Sequence, residues 1–287
     1  MMAAWLTRVP CRIYTIHGLP FMAKTGLLRH LLIATERTSC GLATSVLAVS
    51  VSMRAVALEQ KLCSRHKIDV LAAGTTNGID TRVAFALPTK DERRRARAAL
   101  GFSSEACVIG FVGRIVKDKG ICELAEAWSL IASEFPQARL LLVGPEESVD
   151  APPRSTIERL RSDPRVSMLG YVADPRAMYC AIDIVALPSY REGFPIVPLE
   201  AAAMGLPVVA TAIPGCTDAV MDGHTGTLVA VRDSQALVEA LRTYLATPAL
   251  RLAHGQHGLE RVRSQFSQEV LWGELARHYR RGIGPLA

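Results

Sequence analysis

Two short stretches hold residue types that could do chemistry together. Gly113-Arg114-Ile115-Val116-Lys117-Asp118-Lys119-Gly120 sets cations between two glycines. A diphosphate needs its charge neutralised and several N–H donors at once. A glycine-bearing turn running into a helix N-terminus offers the donors, and Arg114 and Lys119 add the charge. The spacing is neither Gly-x-Gly-x-x-Gly nor Gly-x-x-x-x-Gly-Lys-Ser/Thr, so a dinucleotide fingerprint and a nucleoside-triphosphate loop are both excluded. Alone, the stretch also reads as a surface turn with two solvated cations. The second stretch, Ser189-Tyr190-Arg191-Glu192-Gly193-Phe194-Pro195-Ile196-Val197-Pro198-Leu199-Glu200, spaces two carboxylates eight residues apart. One carboxylate can accept two hydrogen bonds from paired hydroxyl groups, so two acids aimed into one crevice suit a polyhydroxylated ligand. Pro195 and Pro198 fit the first turn of a helix, where a missing N–H is tolerated. That predicts Glu192 in the preceding loop and Glu200 about two turns into the helix. Such a pair can equally face solvent.

Loops of this kind need strands to hold them. Apolar runs at 12–16, 46–49, 68–72, 108–112, 138–143, 166–169, 184–188, 208–212 and 227–231 read as strands. Helical patterns fall at 26–40, 51–62, 119–134, 154–162, 175–181, 196–204, 234–246 and 250–265. Strand and helix in alternation predict parallel sheets covered on both faces, an α/β doubly wound protein. The motif 113–120 then follows a strand, where open α/β sheets bind ligands. A boundary is expected near 77–100, from the turn Asn77-Gly78-Ile79-Asp80 and the arginine-rich segment 91–100. The expected domains are 1–85 and 86–287. About three strands precede the boundary and about six follow it. Three strands make an incomplete sheet, so the chain is expected to begin inside its first domain.

The 287 residues are 49% hydrophobic and 21% charged, a globular balance. No run of roughly 18 apolar residues is free of charge, and Arg8, Pro10 and Arg12 interrupt the N-terminus. A transmembrane helix and an export signal are therefore not expected. Seven scattered cysteines without a Cys-x-x-Cys pair read as reduced thiols in a cytoplasmic chain. The net charge of +6 lies entirely in residues 1–85, which hold ten Lys/Arg against four acids, leaving 23 of each sign for the rest. That basic lobe has few stacking rings and no nucleic-acid motif. The leucines of Leu27-Leu28-Arg29-His30-Leu31-Leu32-Ile33, near Lys24 and Arg37, suit an anionic membrane surface, or an ordinary helix packed on a sheet.

The two chemical stretches together, Gly113-Arg114…Lys119-Gly120 followed by Glu192-x7-Glu200, resemble the retaining glycosyltransferases of family 4. Further matches are Asn77-Gly78-Ile79-Asp80, Leu169-Gly170-Tyr171-Val172, Gly205-Leu206-Pro207, Pro214-Gly215 and Asp222-Gly223-His224-Thr225-Gly226. The resemblance spans about residues 10–280. It implies the GT-B fold, two Rossmann-like domains with the first incomplete here, and transfer of a hexosyl group from a nucleotide sugar, uridine-linked, with retention. Carried over by position, Arg114 and Lys119 grip the donor diphosphate, flanked by Gly113 and Gly120. Glu200 binds the ribose and Glu192 meets the transferred sugar, with the Gly193 and Phe194 amides beside it. Gly170, Tyr171 and Val172 hold the nucleobase. Thr15-Ile16-His17-Gly18 resembles the strand end whose histidine, His17, reaches the donor sugar. Asp218 stands where a Glu is common after the Pro-Gly turn.

No Asp-x-Asp occurs, so no metal and no other cofactor are expected. Ile16-His17-Gly18-Leu19-Pro20-Phe21 resembles members that build capsular or O-antigen polysaccharide. The expected acceptor is a lipid-linked sugar or polysaccharide, met at the inner face of the cell membrane. The rival readings are a nucleotide-sugar epimerase or a phosphorylase on the same fold, and a truncated remnant that binds nucleotide without transfer. A pyridine-nucleotide oxidoreductase would need the missing glycine fingerprint.

Overall fold

The structure, a computed structural model, describes residues 1–75 and 77–283. Its strands form two sheets in which every neighbouring pair is parallel. The first sheet holds β1 (Ile13–Ile16), β2 (Ser45–Ala48) and β3 (Ile68–Asp69), in that order. The second holds β4 (Cys107–Val112), β5 (Ala138–Val143), β6 (Val166–Met168), β7 (Ile184–Leu187), β8 (Val208–Thr211) and β9 (Gly226–Val229). Its order is β6-β5-β4-β7-β8-β9, so the chain winds outward in both directions from the central pair β4 and β7.

The strands of the second sheet read as unbroken apolar runs because both faces are covered. On one face Val108, Leu141, Val143, Val185, Leu187, Val208 and Ala210 pack beneath the helix Val197–Ala203. On the other, Ile109, Phe111, Leu140, Leu142, Ile184, Ala186 and Val209 meet the helices Ile121–Glu134 and Ser234–Ala246. Odd and even residues alternate between the two cores, as the pleat requires. The first lobe has a smaller core, built around Ile16, Phe21, Ile33, Val46, Met53 and Ile68.

The arginine-rich segment is the helix Lys90–Ala99, which buries no side chain. Thr89 and Glu92 close its N-terminus as a reciprocal capping box. Arg93 and Arg97 then reach Asp183 at 2.9 and 2.5 Å, and Asp183 also accepts the Val108 amide at 2.8 Å. This shared carboxylate pins the helix to the base of the second sheet.

Some elements depart from the sequence reading. The pattern 250–265 divides into the helix Pro248–Arg261 and a π-helical turn, Val262–Phe266. The wider turn buries both Val262 and Phe266 in the core beneath Val197–Ala203. Short helical turns at Met2–Leu6 and Cys216–Ala219 and the long helix Gln268–Ile283 add to the elements expected. That last helix lies within the expected range 86–287, yet it touches the first lobe. His278 Nε2 is 3.1 Å from Ser45 Oγ, and Ile79 exchanges backbone hydrogen bonds with Phe266 and Gln268. Residues 284–287 of that range lie outside the described residues. The helix Gly26–Leu42 does pack on the first sheet, but it buries Ile33 and Cys40. Leu27, Leu28 and Leu31 remain 87%, 49% and 59% exposed.

Candidate active site

β4 and β7 lie side by side, and their connections leave in opposite directions, so the loops at their carboxyl ends part and open a crevice. The first loop is 113–120. Gly120 has φ +72°, and a Cβ there would lie 2.1 Å from the Pro188 carbonyl oxygen. Glycine lets the start of helix Ile121–Glu134 press directly against the end of β7. The second loop runs from Pro188 to Ile196. At Gly193 a Cβ would lie 1.7 Å from the carbonyl oxygen of His17, so the two lobes meet backbone to backbone at that residue.

Between these loops and the end of β1 lies a cleft of about 410 Å³. His17, Gly18, Leu19, Pro20 and Met22 line it from the first lobe, and Arg114, Asp118, Lys119, Arg191, Glu192 and Gly193 from the second. Lys119 Nζ donates to Glu192 Oε1 at 2.5 Å, with the two side chains only 20% and 11% exposed. One residue earlier on each loop, Arg191 Nε donates to Asp118 Oδ2 at 2.6 Å. These two rungs hold the loops in register, and the Tyr190 amide adds a bond to the Asp118 carbonyl at 2.8 Å. Arg114 is more open and pairs with Glu147 at 2.8 Å. All three cations of the lining are ion-paired, Arg114 with Glu147, Lys119 with Glu192 and Arg191 with Asp118, so an anionic ligand would recruit them by replacing a carboxylate partner.

Of the residues singled out from the sequence, the structure brings Arg114, Lys119, Glu192, Gly193 and His17 into this one cleft. Gly113 and Gly120 bracket the first loop at its two ends. Glu200 stands elsewhere than expected. It lies in the first turn of the helix Val197–Ala203 rather than two turns in, because the chain stays in loop conformation through Pro195. Pro198 occupies the first turn as anticipated, and Pro195 precedes the helix. The fully buried Tyr179 donates to Glu200 Oε2 at 2.7 Å, which fixes one oxygen. Burial pushes the Glu200 acid above the usual glutamate range, partly offset by that hydrogen bond. Burial beside this carboxylate also holds the Tyr179 phenol well above its ordinary value.

The Phe194 ring turns away from the cleft, 5.6 Å from the Phe266 ring, and leaves its backbone as the part near the loop. Gly170, Tyr171 and Val172 follow β6, two strands from β4 but at the same carboxyl edge. The Gly144 amide, after β5, donates to the Gly170 carbonyl at 2.8 Å. Tyr171 is 77% exposed and Val172 packs on the core.

The sequence reading passed over Asp118 and Arg191, although both sit inside the quoted motifs, each beside an assigned residue. Their pairing joins positions 73 apart and carries no local signature. Leu19, Pro20 and Met22 were also missed as an apolar lip, for the same reason. Among the described residues, no group of three or more His, Cys, Asp or Glu side chains is gathered to hold a metal ion. Among them, too, no helix is long and apolar enough to cross a membrane.

Comparison with known proteins gives this arrangement a class. Residues 106–247 match the family model for Glycosyl transferases group 1. The chain is 34% identical over 277 residues to the capsular polysaccharide biosynthesis glycosyltransferase CapM of Staphylococcus aureus, covering 96% of this chain and 72% of that protein. Among solved structures, it is similar to sucrose-phosphate synthase from Thermosynechococcus elongatus, with TM-score 0.81 and 27% identity over 98% of this chain and 70% of that one. Anabaena HepE in complex with UDP-glucose superposes with TM-score 0.82 at 23% identity, over 98% and 74%. The chain belongs to the group 1 glycosyltransferases, and its two parallel-sheet lobes are the GT-B fold.

Proposed function

We propose that this chain is a retaining glycosyltransferase of family 4. It moves a hexosyl group from a uridine-linked nucleotide sugar to a hydroxyl of a lipid-linked or polysaccharide acceptor. Residues 1–85 form the acceptor side and 86–287 the donor side. The observation that carries this reading is the meeting of Lys119, Glu192 and His17, from three chain segments on two lobes, in one cleft that Arg114 and Arg191 also line. The UDP-glucose bound to HepE and the capsular role of CapM support the choice of donor and acceptor class.

In this reading Arg114 and Lys119 take the donor diphosphate and offset the charge that builds on it as the bond to the anomeric carbon breaks. Glu192 and the Gly193 and Phe194 amides hold the sugar, and His17 orients it from the other lobe. Glu200, with one oxygen fixed by Tyr179, presents the other to the ribose hydroxyls. Gly170, Tyr171 and Val172 border the base. No metal is given a role. The protein works in the cytoplasm against the inner membrane face, where the uncovered Leu27, Leu28 and Leu31 and the neighbouring Lys24 and Arg29 suit an anionic lipid surface.

A thermal-shift titration with UDP tests the donor half. Saturable stabilisation, lost in Arg114→Ala, is the expected result. Absence of any shift with UDP or another nucleoside diphosphate would overturn the reading.

A further inference from the structure

We propose that Ser52 of the first lobe and Asp218 of the second form an inter-lobe pair that positions His17 against Glu192 for transfer. The inference rests on the transferase reading above, in which those two residues approach one sugar from opposite lobes. Neither Ser52 nor Asp218 lines the cleft, so both are positioning residues rather than catalytic ones.

Ser52 sits in the first turn of the helix Val51–Glu59. Asp218 belongs to the turn that follows Pro214-Gly215. The Ser52 hydroxyl donates to Asp218 Oδ2, and the Ser52 amide donates to Asp218 Oδ1 at 3.2 Å. The same hydroxyl oxygen accepts the Gly215 amide at 2.8 Å. A carboxylate at a helix N-terminus is further stabilised by the unpaired amides there.

Three features make this more than a surface contact. Ser50, fully buried, caps the same helix by accepting the Met53 amide at 3.0 Å and donates to the Gly193 carbonyl at 3.3 Å. The helix Val51–Glu59, which bonds Asp218 through Ser52, therefore also touches the loop bearing Glu192 through its cap Ser50. A Cβ at Gly215 would lie 2.4 Å from that same Gly193 carbonyl, which places the Pro-Gly turn directly behind the loop. Finally, Arg261 fixes the turn from beneath, donating to the Asp218 and Ala219 carbonyls at 2.6 and 2.7 Å. Arg261 lies over the Phe266 ring, which in turn meets Phe194. The pair thus joins the first lobe to a braced unit comprising the turn and the sugar-side loop. Losing it leaves the Ser50 hydroxyl as the remaining side-chain bond from this helix to that unit, and so loosens the lobes at His17 and Gly193 while leaving the donor side whole.

The test compares Ser52→Ala, Asp218→Ala, the double variant and Ser52→Thr with the unmodified chain. It reads three quantities: UDP-induced thermal stabilisation, steady-state release of UDP from UDP-glucose with water taking the glucosyl group, and hydrogen exchange at the Gly215 and Ser52 amides. Each alanine variant is expected to lower kcat about tenfold, the scale of one charge-assisted hydrogen bond. KM and the UDP-induced shift are expected to stay within about twofold. The double variant should be no slower than either single one, because the two residues act as one unit. Ser52→Thr, which keeps the hydroxyl, should retain kcat. Gly215 exchange should speed up at least about tenfold in Ser52→Ala. Unchanged kcat, multiplying effects in the double variant, or a Ser52→Thr variant as slow as Ser52→Ala would each overturn the proposal. If the unmodified chain shows no stabilisation by UDP, the donor reading fails. Exchange then decides the pair by itself, and equal Gly215 exchange with and without the Ser52 hydroxyl would refute it.

Discussion

Lys119 and Glu192 make opposite demands on the same cleft, which allows a test by sign as well as size. They lie 2.5 Å apart and are largely shielded from water. At an effective dielectric of about 20, unit charges about 4 Å apart attract by about 4 kcal/mol, which sets the order of magnitude of the cost of drawing Lys119 away from its partner. A diphosphate that recruits Lys119 must overcome part of that cost. Glu192→Gln keeps the shape and removes the competing charge. UDP is therefore expected to bind this variant about tenfold more tightly, a gain of about 1.4 kcal/mol. Lys119→Met removes the cation that the phosphate needs and is expected to weaken UDP about 100-fold, or about 2.7 kcal/mol.

Stability of the free protein should fall in both variants, because each leaves one poorly hydrated charge without its partner. Such losses run to about 3 kcal/mol. For a domain of this size that lowers Tm by roughly 6–12 °C. The two variants then differ on adding nucleotide. Saturating UDP recovers Tm in Glu192→Gln, since phosphate replaces the lost counter-charge, and fails to do so in Lys119→Met. Isothermal titration and melting curves with and without UDP read both effects, and sugar transfer by Glu192→Gln should drop despite the tighter UDP. If both variants weakened UDP alike, Lys119–Glu192 would be a bridge that merely holds the loops, and the donor assignment of Lys119 would be wrong.

Glu200 offers a test through pH. Its acid is held above the usual glutamate value, so the folded state keeps the proton more tightly than the unfolded chain. Stability is then lost as pH rises from the ordinary glutamate value through the raised one, and the buried carboxylate remains a cost above that window. Glu200→Gln should flatten Tm against pH in this window, hold or raise Tm at neutral pH, and weaken UDP; a curve parallel to that of the parent chain would refute the assignment. At the other end of the molecule, Leu27→Glu with Leu31→Glu should abolish sedimentation with anionic vesicles, and added salt should weaken binding by the parent chain. Equal binding to neutral vesicles would argue against an anionic membrane surface.

The sequence alone determined the run of strands and helices, because strands buried on both faces must be continuous apolar runs and the punctuating glycines and prolines mark where they stop. Val108–Val112, Ala138–Val143 and Ile184–Leu187 declare themselves in this way. The residue types that a phosphate and a polyol need were legible for the same local reason, since Arg114, Lys119, Glu192 and Glu200 stand in short motifs at strand ends. Tertiary structure alone decided which of them meet. The rungs Asp118–Arg191 and Lys119–Glu192 join positions 73 apart, and they arise because β4 and β7 are neighbours in the sheet without being neighbours in the chain. Gly193 looks like any loop glycine until the His17 carbonyl is seen 1.7 Å from where its side chain would begin. Ser52, on an ordinary helix start, finds its partner Asp218 only across the two lobes, 166 positions along the chain. Composition and periodicity are properties of neighbours along the chain, whereas a cleft between two lobes depends on distances that no local pattern encodes.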